Sequence, residues 1–599
     1  MYEERLANHR AAAARLTRRE RVISLSRLAA FALIVIVAFV RPGWLVLVPA
    51  AAFVALIVAH EPVIAAKRRA EAAAKFCERA LARVRGEWSG TGDAGAEFAD
   101  EHHPFAADLD LFGVGSLFEL ISIAATHAGR ATLAKWLTHP EQTTADDARA
   151  RQAAVAEVRE RIDLREELAV LASEVAGEVE EAHLDEWAAA PPLLGSSGER
   201  VVTLLFGVAM AVALALFLAT FGTQLVATTN PGNLDPLSRA LTLPFVILLI
   251  VRVPLARRLH DRARRVNGAV ERREPALALL ARLLSRLERE RFASPQLAAL
   301  RAALERDGTP ASKRIERLRH LVAWLDAPRN QFFAPIAALV LWSENVAFAI
   351  ERWRRDDGRE IVKWIDAAGE IEALLSLASF AYEHPQFATP EIAGGEACFL
   401  ATAAGHPLIA ESKRITNDVR LGGELRLLIV SGSNMSGKST LLRTVGINTI
   451  LALAGTSVCA TSLRVTPMAV GASIRIHDSL SEGASRFYAE IVRIREILAM
   501  PPPLLFLLDE LLHGTNSHDR RIGAEAIVRG LVEKGAIGLA TTHDLALADI
   551  AESLGPRAAN VHFEDQFEEG QMRFDYRMRP GVVAKSNALA LMRSVGIEV

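Results

Sequence analysis

The stretch Gly432-Ser433-Asn434-Met435-Ser436-Gly437-Lys438-Ser439-Thr440 contains a complete GxxxxGK[ST] loop. Its glycines let backbone N–H groups curl around phosphate, Lys438 reaches the outer phosphates, and Ser439 offers a hydroxyl to magnesium. Further on, the apolar run Leu504 to Leu508 ends in Asp509-Glu510. A buried strand ending there delivers two carboxylates beside the phosphate loop. Asp509 would hold magnesium, mostly through water, and Glu510 would polarise the attacking water as general base or orienter. After a third apolar run, Thr541-Thr542-His543-Asp544 puts His543 where it could sense a γ-phosphate. His513-Gly514-Thr515-Asn516-Ser517 lies between them, either a loop relaying information between two sites or a plain turn. The chemistry these residue types support is nucleotide binding with hydrolysis.

The elements that must position them begin near residue 396. Leu425 to Val430, Leu504 to Leu508 and Ala536 to Ala540 are β-type runs, each followed by polar or glycine-rich residues and then a helical stretch. That alternation predicts an α/β domain with a largely parallel, buried sheet. Residues 66 to 190 and 256 to 380 have helical patterning instead, rich in Ala, Glu and Arg, with breaks at Ser89-Gly90-Thr91-Gly92 and His139-Pro140. Leu280, Leu283, Leu284 and Leu287 form a stripe at helical spacing, which predicts helix-on-helix core.

Two apolar runs, Leu28 to Val40 and Trp44 to Ala59, are separated by the helix-breaking Arg41-Pro42-Gly43. Each is short of a ~20-residue span, yet a tilted or thinned hairpin accommodates both. A second pair is Val201 to Thr229, free of charge, and Ala240 to Val251, the weakest of the four, bracketed by Arg239 and Arg252. Arg10, Arg15, Arg18, Arg19 and Arg21 precede the first run; Lys67, Arg68 and Arg69 follow the second; Arg257, Arg258, Arg262, Arg264 and Arg265 follow the fourth. Placing all three clusters on the cytoplasmic side predicts two hairpins with every large soluble segment inside the cell.

Composition agrees with a mixed chain. The 599 residues are 51% hydrophobic and 23% charged, which excludes both a disordered chain and a wholly membrane-embedded one. Lys plus Arg (69) nearly cancel Asp plus Glu (71), so any nucleic-acid contact must use a local patch. Cys77, Cys398 and Cys459 show no CxxC and no His-rich partner, which argues for a reducing cytosol and against a structural zinc site.

These motifs, in this order, resemble the ATPase domain of the MutS family within the wider ATP-binding-cassette group. Gly405-His406-Pro407 and Thr416-Asn417-Asp418 match the family's segment ahead of the loop, and GSNMSGKST is similar to its GPNMGGKST. Asp478-Ser479-Leu480, Ser485-Arg486-Phe487 and Glu490 match its signature region; Leu507 to Glu510, His513 to Asn516 and Thr542-His543 match its Walker B, D-loop and switch histidine. The resemblance implies ATP and magnesium as ligands, a homodimer through the ATPase domains with Ser485 reaching the opposite subunit's nucleotide, and DNA as a partner. Where the family commonly stacks an aromatic on adenine, Arg414 and Ile415 stand here, leaving Ile415 as the base-side candidate.

Upstream, Asp110-Leu111-Phe112-Gly113, Ser116-Leu117, Thr126, Gly129-Arg130, Leu133, Trp136-Leu137, Pro140, Arg151-Gln152 and Val155 resemble the start of the family's core or lever domain. Phe574-Asp575-Tyr576, Pro580-Gly581, Ser586-Asn587-Ala588 and Met592-Arg593 resemble its membrane-associated bacterial members. The implied architecture is an α/β P-loop ATPase domain of ATP-binding-cassette/MutS type at the C-terminus, preceded by an all-α core/lever domain and two transmembrane helical hairpins. Its divisions are a cytoplasmic basic N-terminus (1–24), hairpin 1 (25–60), a core-like segment (61–195), hairpin 2 (200–255), a lever-like segment (256–395) and the ATPase domain (396–599). An apolar hairpin stands where the family's mismatch reader has its wedge domain, and Phe76-Cys77-Glu78 has the wedge's letters but sits in an Ala- and Arg-rich helix. The expectation is a multi-pass protein of the bacterial inner membrane, its soluble domains cytoplasmic, related to repair without reading mismatches. An ATP-driven transporter subunit and an ATP-switched membrane scaffold without DNA binding are the alternatives.

Overall fold

The computed structural model describes residues 1–40, 43–173, 184–227, 236–433, 436–475, 486–512, 516–543, 548–568 and 571–582. The chain divides into two compact units: residues 1–170, 292–298 and 369–599 form one, and residues 171–291 and 299–368 the other.

The first unit contains the sheet that the apolar runs predict. Leu427–Ser431 lies at its centre, parallel to Ile537–Thr542 on one side and to Ala558–Glu568 on the other. Leu504–Leu508 and then Ala469–Ser473 extend it in parallel, and Gln571–Pro580 closes the far edge antiparallel. Every residue of Leu427–Ser431, Leu504–Leu508 and Ile537–Thr542 is buried, because helices cover both faces, so these strands are continuous apolar runs rather than alternating ones. Leu427, Ile429, Phe506 and Leu508 turn to one face, packing with Ile494, Ile497, Val528 and Leu531 from helices Arg486–Ala499 and Ser517–Glu533. On the other face lies helix Lys438–Ala454, where a Cβ at Gly446 would fall 2.8 Å from both Leu109 and Leu507. A smaller sheet, ordered Glu391–Ile392, Ser462–Val465, Phe399–Ala404, Asn417–Leu421, stands beside it.

The segment around Asp110, singled out upstream, packs on this domain. Asp108 Oδ1 accepts from Ile474 N (2.9 Å) and Arg475 N (2.5 Å), Arg443 Nε donates to Asp108 O (2.9 Å), and Asp110 pairs with Arg475. Arg151 lies over the Trp136 ring at 4.4 Å and donates to Leu453 O, while Gln152 donates to Pro390 O.

The N-terminal part of the same unit is a pair of long helices, α1 (Tyr2–Val40) and α2 (Leu47–Arg85). Four contacts fix their antiparallel register: Arg85–Glu3 (2.8 Å), Arg10–Glu78 (2.8 Å), Lys67–Glu20 (2.9 Å) and Arg27–His60 (2.7 Å). The boundaries expected at 24/25 and 60/61 fall inside these helices. Arg, Glu and Ala propagate a helix as well as Leu does, so the chemical border leaves the backbone unbroken. Leu28, Phe31, Ile36, Phe39, Val48, Val54 and Val58 on the distal ends are exposed.

The second unit is helical. Helix Glu274–Leu287 buries Leu280, Leu283, Leu284 and Leu287, the stripe expected to be core, and packs with Ala311–Leu325. Ser197–Ala227 and Pro236–Glu271 lie side by side, with Phe217 stacked on Phe245 at 4.9 Å and Glu199 paired with Arg258 (3.0 Å) and Arg262 (3.3 Å). Among the described residues three helices are long and apolar enough to cross a membrane: Tyr2–Val40, Trp44–Arg85 and Ser197–Ala219. The Ala240 to Val251 run is not among them; it belongs to Pro236–Glu271, whose Arg252, Arg257 and Arg258 follow closely.

Candidate functional site

Parallel pairing brings the chemistry together. Ser431 lies in register with Thr542, and Leu508 with Ala540, so the phosphate loop, Asp509-Glu510 and His543 all leave from the C-terminal edge of adjacent strands. Ligands bind at that edge in open parallel sheets because loops diverge there.

The loop's backbone demands glycine at both ends. Gly432 has φ +148°, and a Cβ there would meet Ser436 Oγ at 2.8 Å and Phe563 O at 3.1 Å. Gly437 has φ +103° and caps helix Lys438–Ala454, whose unpaired N–H groups suit an anion. Ser436 Oγ donates to Ser433 O at 2.8 Å. Lys438 is buried, and its Nζ donates to Gly432 O (2.9 Å) and Ser433 O (2.8 Å), so its ammonium lies inside the cradle that phosphate would share. Ser439 is half-buried and Thr440 exposed at the same helix start. Asn434, Met435 and Ser485, with His513 to Thr515, lie outside the described residues.

Asp509 and Glu510 are both half-buried. Thr541 ties them: its hydroxyl donates to Asp509 Oδ1 and accepts from Glu510 N at 2.9 Å. Glu510 sits at φ +49° and Leu512 at φ +55°, a left-handed region uncommon for residues with a Cβ. Buried Glu490 holds that turn from beneath, its Oε1 accepting from Leu512 N at 2.6 Å. His543 Nδ1 stands 3.9 Å from Glu510 Oε1. The arrangement gathers a buried ammonium, two carboxylates and an imidazole on one edge of the sheet.

Ile415 is exposed just before strand Asn417–Leu421, whereas Arg414 bonds His406 O and Ile409 O and lies 5.2 Å from the Phe387 ring. Sequence reasoning missed two residues. Thr541 stands out in the sequence only as a neighbour of the histidine. Tyr576 is brought to the loop by Asn417, whose Nδ2 donates to Tyr576 O (3.0 Å) and whose Oδ1 accepts from Met578 N (2.7 Å). The Tyr576 ring lies 3.1 Å from where a Cβ at Gly437 would be, half-open to solvent. The signal was the Phe574-Asp575-Tyr576 motif together with Asn417, which only strand pairing connects. His406 is buried, and burial lowers its pKa to about 4.

The family model described as MutS domain V matches residues 428–598. Over 256 residues the chain is 32% identical to Endonuclease MutS2 of Thermus thermophilus, covering 41% of this chain and 32% of that protein. It is 32% identical over 240 residues to DNA mismatch repair protein MutS 2 of Halobacterium salinarum, covering 39% and 27%, and 30% identical over 262 residues to Endonuclease MutS2 of Brevibacillus brevis, covering 43% and 32%. The chain therefore spans about a third of the length of the relatives it matches. Residues 428–598 are thus similar to MutS domain V, and the chain resembles these MutS2 proteins over about two fifths of its own length.

Proposed function

We propose that this protein is a membrane-anchored, MutS-like ATPase of the bacterial inner membrane, binding and hydrolysing ATP at paired sites of a homodimer and coupling that cycle to DNA without reading mismatches. The observation that carries it is the convergence of the Lys438 cradle, the Thr541-tethered pair Asp509-Glu510 and His543 on one sheet edge. MutS-family proteins are ATPases that use ATP and magnesium, bind DNA and typically act as dimers.

In this reading the amides of residues 432–440 and Lys438 hold the phosphates. Ser439 and Asp509 suit magnesium, a hydroxyl and a carboxylate being the hard oxygen donors that ion selects. When bound, magnesium supplies counter-charge to the phosphate oxygens. Glu510 orients or deprotonates the attacking water, and His543 reports the γ-phosphate to Glu510. The Tyr576 ring faces the base side in place of the missing aromatic near Ile415, and Ser485 closes the site from the partner. The helices Tyr2–Val40, Trp44–Arg85 and Ser197–Ala219 anchor the chain, with Pro236–Glu271 completing a second hairpin.

The test is steady-state ATP hydrolysis in detergent, with and without homoduplex, mismatched and branched DNA over a salt series. DNA stimulation that fades with salt is expected, because phosphate contacts release counterions. Hydrolysis indifferent to every DNA would instead establish the second reading, a membrane scaffold or transporter subunit, which the near-zero net charge of -2 favours.

A further inference from the structure

Where α1 and α2 meet helix Ile162–Ser173, one donor atom each from His9, Cys77 and Glu166 lies within 4.8 Å of the other two. His9 Nε2 is 2.8 Å from Glu166 Oε1, and Cys77 Sγ is 4.0 Å from Glu166 Oε2. We propose that His9, Cys77 and Glu166 form a zinc-binding site that clips α1, α2 and helix Ile162–Ser173 together.

The dimensions suit that ion. With Zn–S near 2.3 Å and Zn–N or Zn–O near 2.0–2.1 Å, a tetrahedral site has ligand-to-ligand edges of about 3.3–3.6 Å. His9 and Cys77 approach opposite oxygens of the Glu166 carboxylate, at 2.8 and 4.0 Å, distances that straddle this range. Thiolate, imidazole and carboxylate together are a donor set that favours zinc over magnesium or calcium. Cys77 is fully buried, while His9 is partly open, its side chain 26% exposed, so water can take the fourth position.

Charge closes as well. Arg5 Nη1 contacts Glu166 Oε2 at 3.2 Å, and Arg5 Nη2 holds Asp163 at 2.6 Å. When zinc enters, the Cys77 thiol proton leaves to water and the Zn–S bond forms. Zn2+ and Arg5 then balance the Cys77 thiolate, Glu166 and Asp163, and Arg5 keeps a partner when Glu166 turns to the metal. Chain spacing conceals the site, because the three ligands come from three helices and none belongs to a CxxC or His-rich motif.

The experiment uses the full chain in detergent, without a polyhistidine tag or nucleotide, stripped with chelator and titrated with Co2+. One equivalent should bind with an intense near-ultraviolet thiolate-to-cobalt band, displaced by zinc. A cobalt ion at the oxygen donors Ser439 and Asp509 would give no such band. Cys77→Ser should abolish the band, Cys459→Ser should keep it, and His9→Gln, at a partly exposed position that tolerates change, should weaken cobalt at least tenfold. Zinc should also raise the melting midpoint of the wild type and not of His9→Gln. Absence of the band in wild-type protein, its survival in Cys77→Ser, or equal zinc shifts in wild type and His9→Gln would each overturn the proposal.

Discussion

Thr541 donates its hydroxyl proton to Asp509 on the neighbouring strand while accepting the Glu510 backbone N–H at 2.9 Å. One side chain thus sets both the carboxylate suited to magnesium and the left-handed turn that aims Glu510. Hydrogen bonds to charged groups contribute about 1.5–3 kcal/mol, so Thr541→Val should lower kcat roughly ten- to a hundredfold and raise the magnesium concentration needed for half-maximal rate. Thr541→Ser, which keeps the hydroxyl, should recover most of both. A magnesium titration of the three proteins checks this; equal half-maximal values would remove the role.

Glu510→Gln separates binding from turnover. The amide keeps the shape and the strand-end geometry but cannot take a proton, so ATP affinity should hold while hydrolysis falls on the order of 10²–10⁴-fold. Binding is read with a fluorescent nucleotide and turnover by phosphate release. Wild-type hydrolysis in this variant would refute the assignment.

Tyr576 faces the loop at Gly437 with its ring partly open. Aromatic stacking contributes about 0.5–1.5 kcal/mol beyond burial. Tyr576→Ala should raise the KM for ATP roughly tenfold with little change in kcat and narrow any preference for ATP over GTP, whereas Tyr576→Phe should behave as wild type. A kcat loss without a KM change would show that Tyr576 only braces the loop.

Much of this was legible because local chemistry decided it. Leu504 to Leu508, a short apolar run bounded by prolines and Asp509-Glu510, suits a strand buried on both faces, and the loop's glycines announce their own backbone. The tethers were not legible, since threonine at a strand end is commonplace and only the register of Ile537–Thr542 against its neighbours places Thr541 beside Asp509. Tyr576 reaches the loop through the antiparallel edge strand and Asn417, a pairing that no local pattern encodes. The divisions at 24/25 and 60/61 fall within unbroken helices, because solvent preference changes there while backbone preference does not.

Acid should weaken the first unit through two histidines. Burial lowers the pKa of His406 to about 4, with Arg443 and Arg414 adding to the effect. His103 is likewise lowered to about 4 by burial, opposed by its bond to Thr138 O, with His139, Asp100 and Arg493 nearby. Both values lie below the unfolded 6.5, so between about 4 and 6.5 the unfolded chain binds more protons. Stability from these groups is complete above about pH 6.5 and declines as pH falls toward 4. Melting curves should drop by several degrees from pH 7 to pH 5, and His103→Asn with His406→Asn should flatten that slope.

Arg83 and Glu383 form a doubly bonded ion pair, Nε to Oε2 and Nη2 to Oε1 at 2.7 Å each, with the Glu383 side chain fully buried. Ser379 donates to Glu383 Oε1 at 3.1 Å, and Tyr2 points its hydroxyl at the same oxygen. This cluster joins the start of α1 and the end of α2, which lie together in the antiparallel pair, to the end of helix Trp342–Glu383, which leads directly into the sheets of the first unit. Removing one partner strands a buried charge, at a cost of about 3–5 kcal/mol, whereas replacing both with apolar groups is often neutral. Arg83→Met should therefore destabilise the first unit strongly, and adding Glu383→Leu should restore much of the loss. If α1 and α2 transmit the ATP cycle, the double variant should melt near wild type yet lose any effect of nucleotide on the proteolysis of the apolar helices. Retention of that nucleotide effect would show that the signal takes another route.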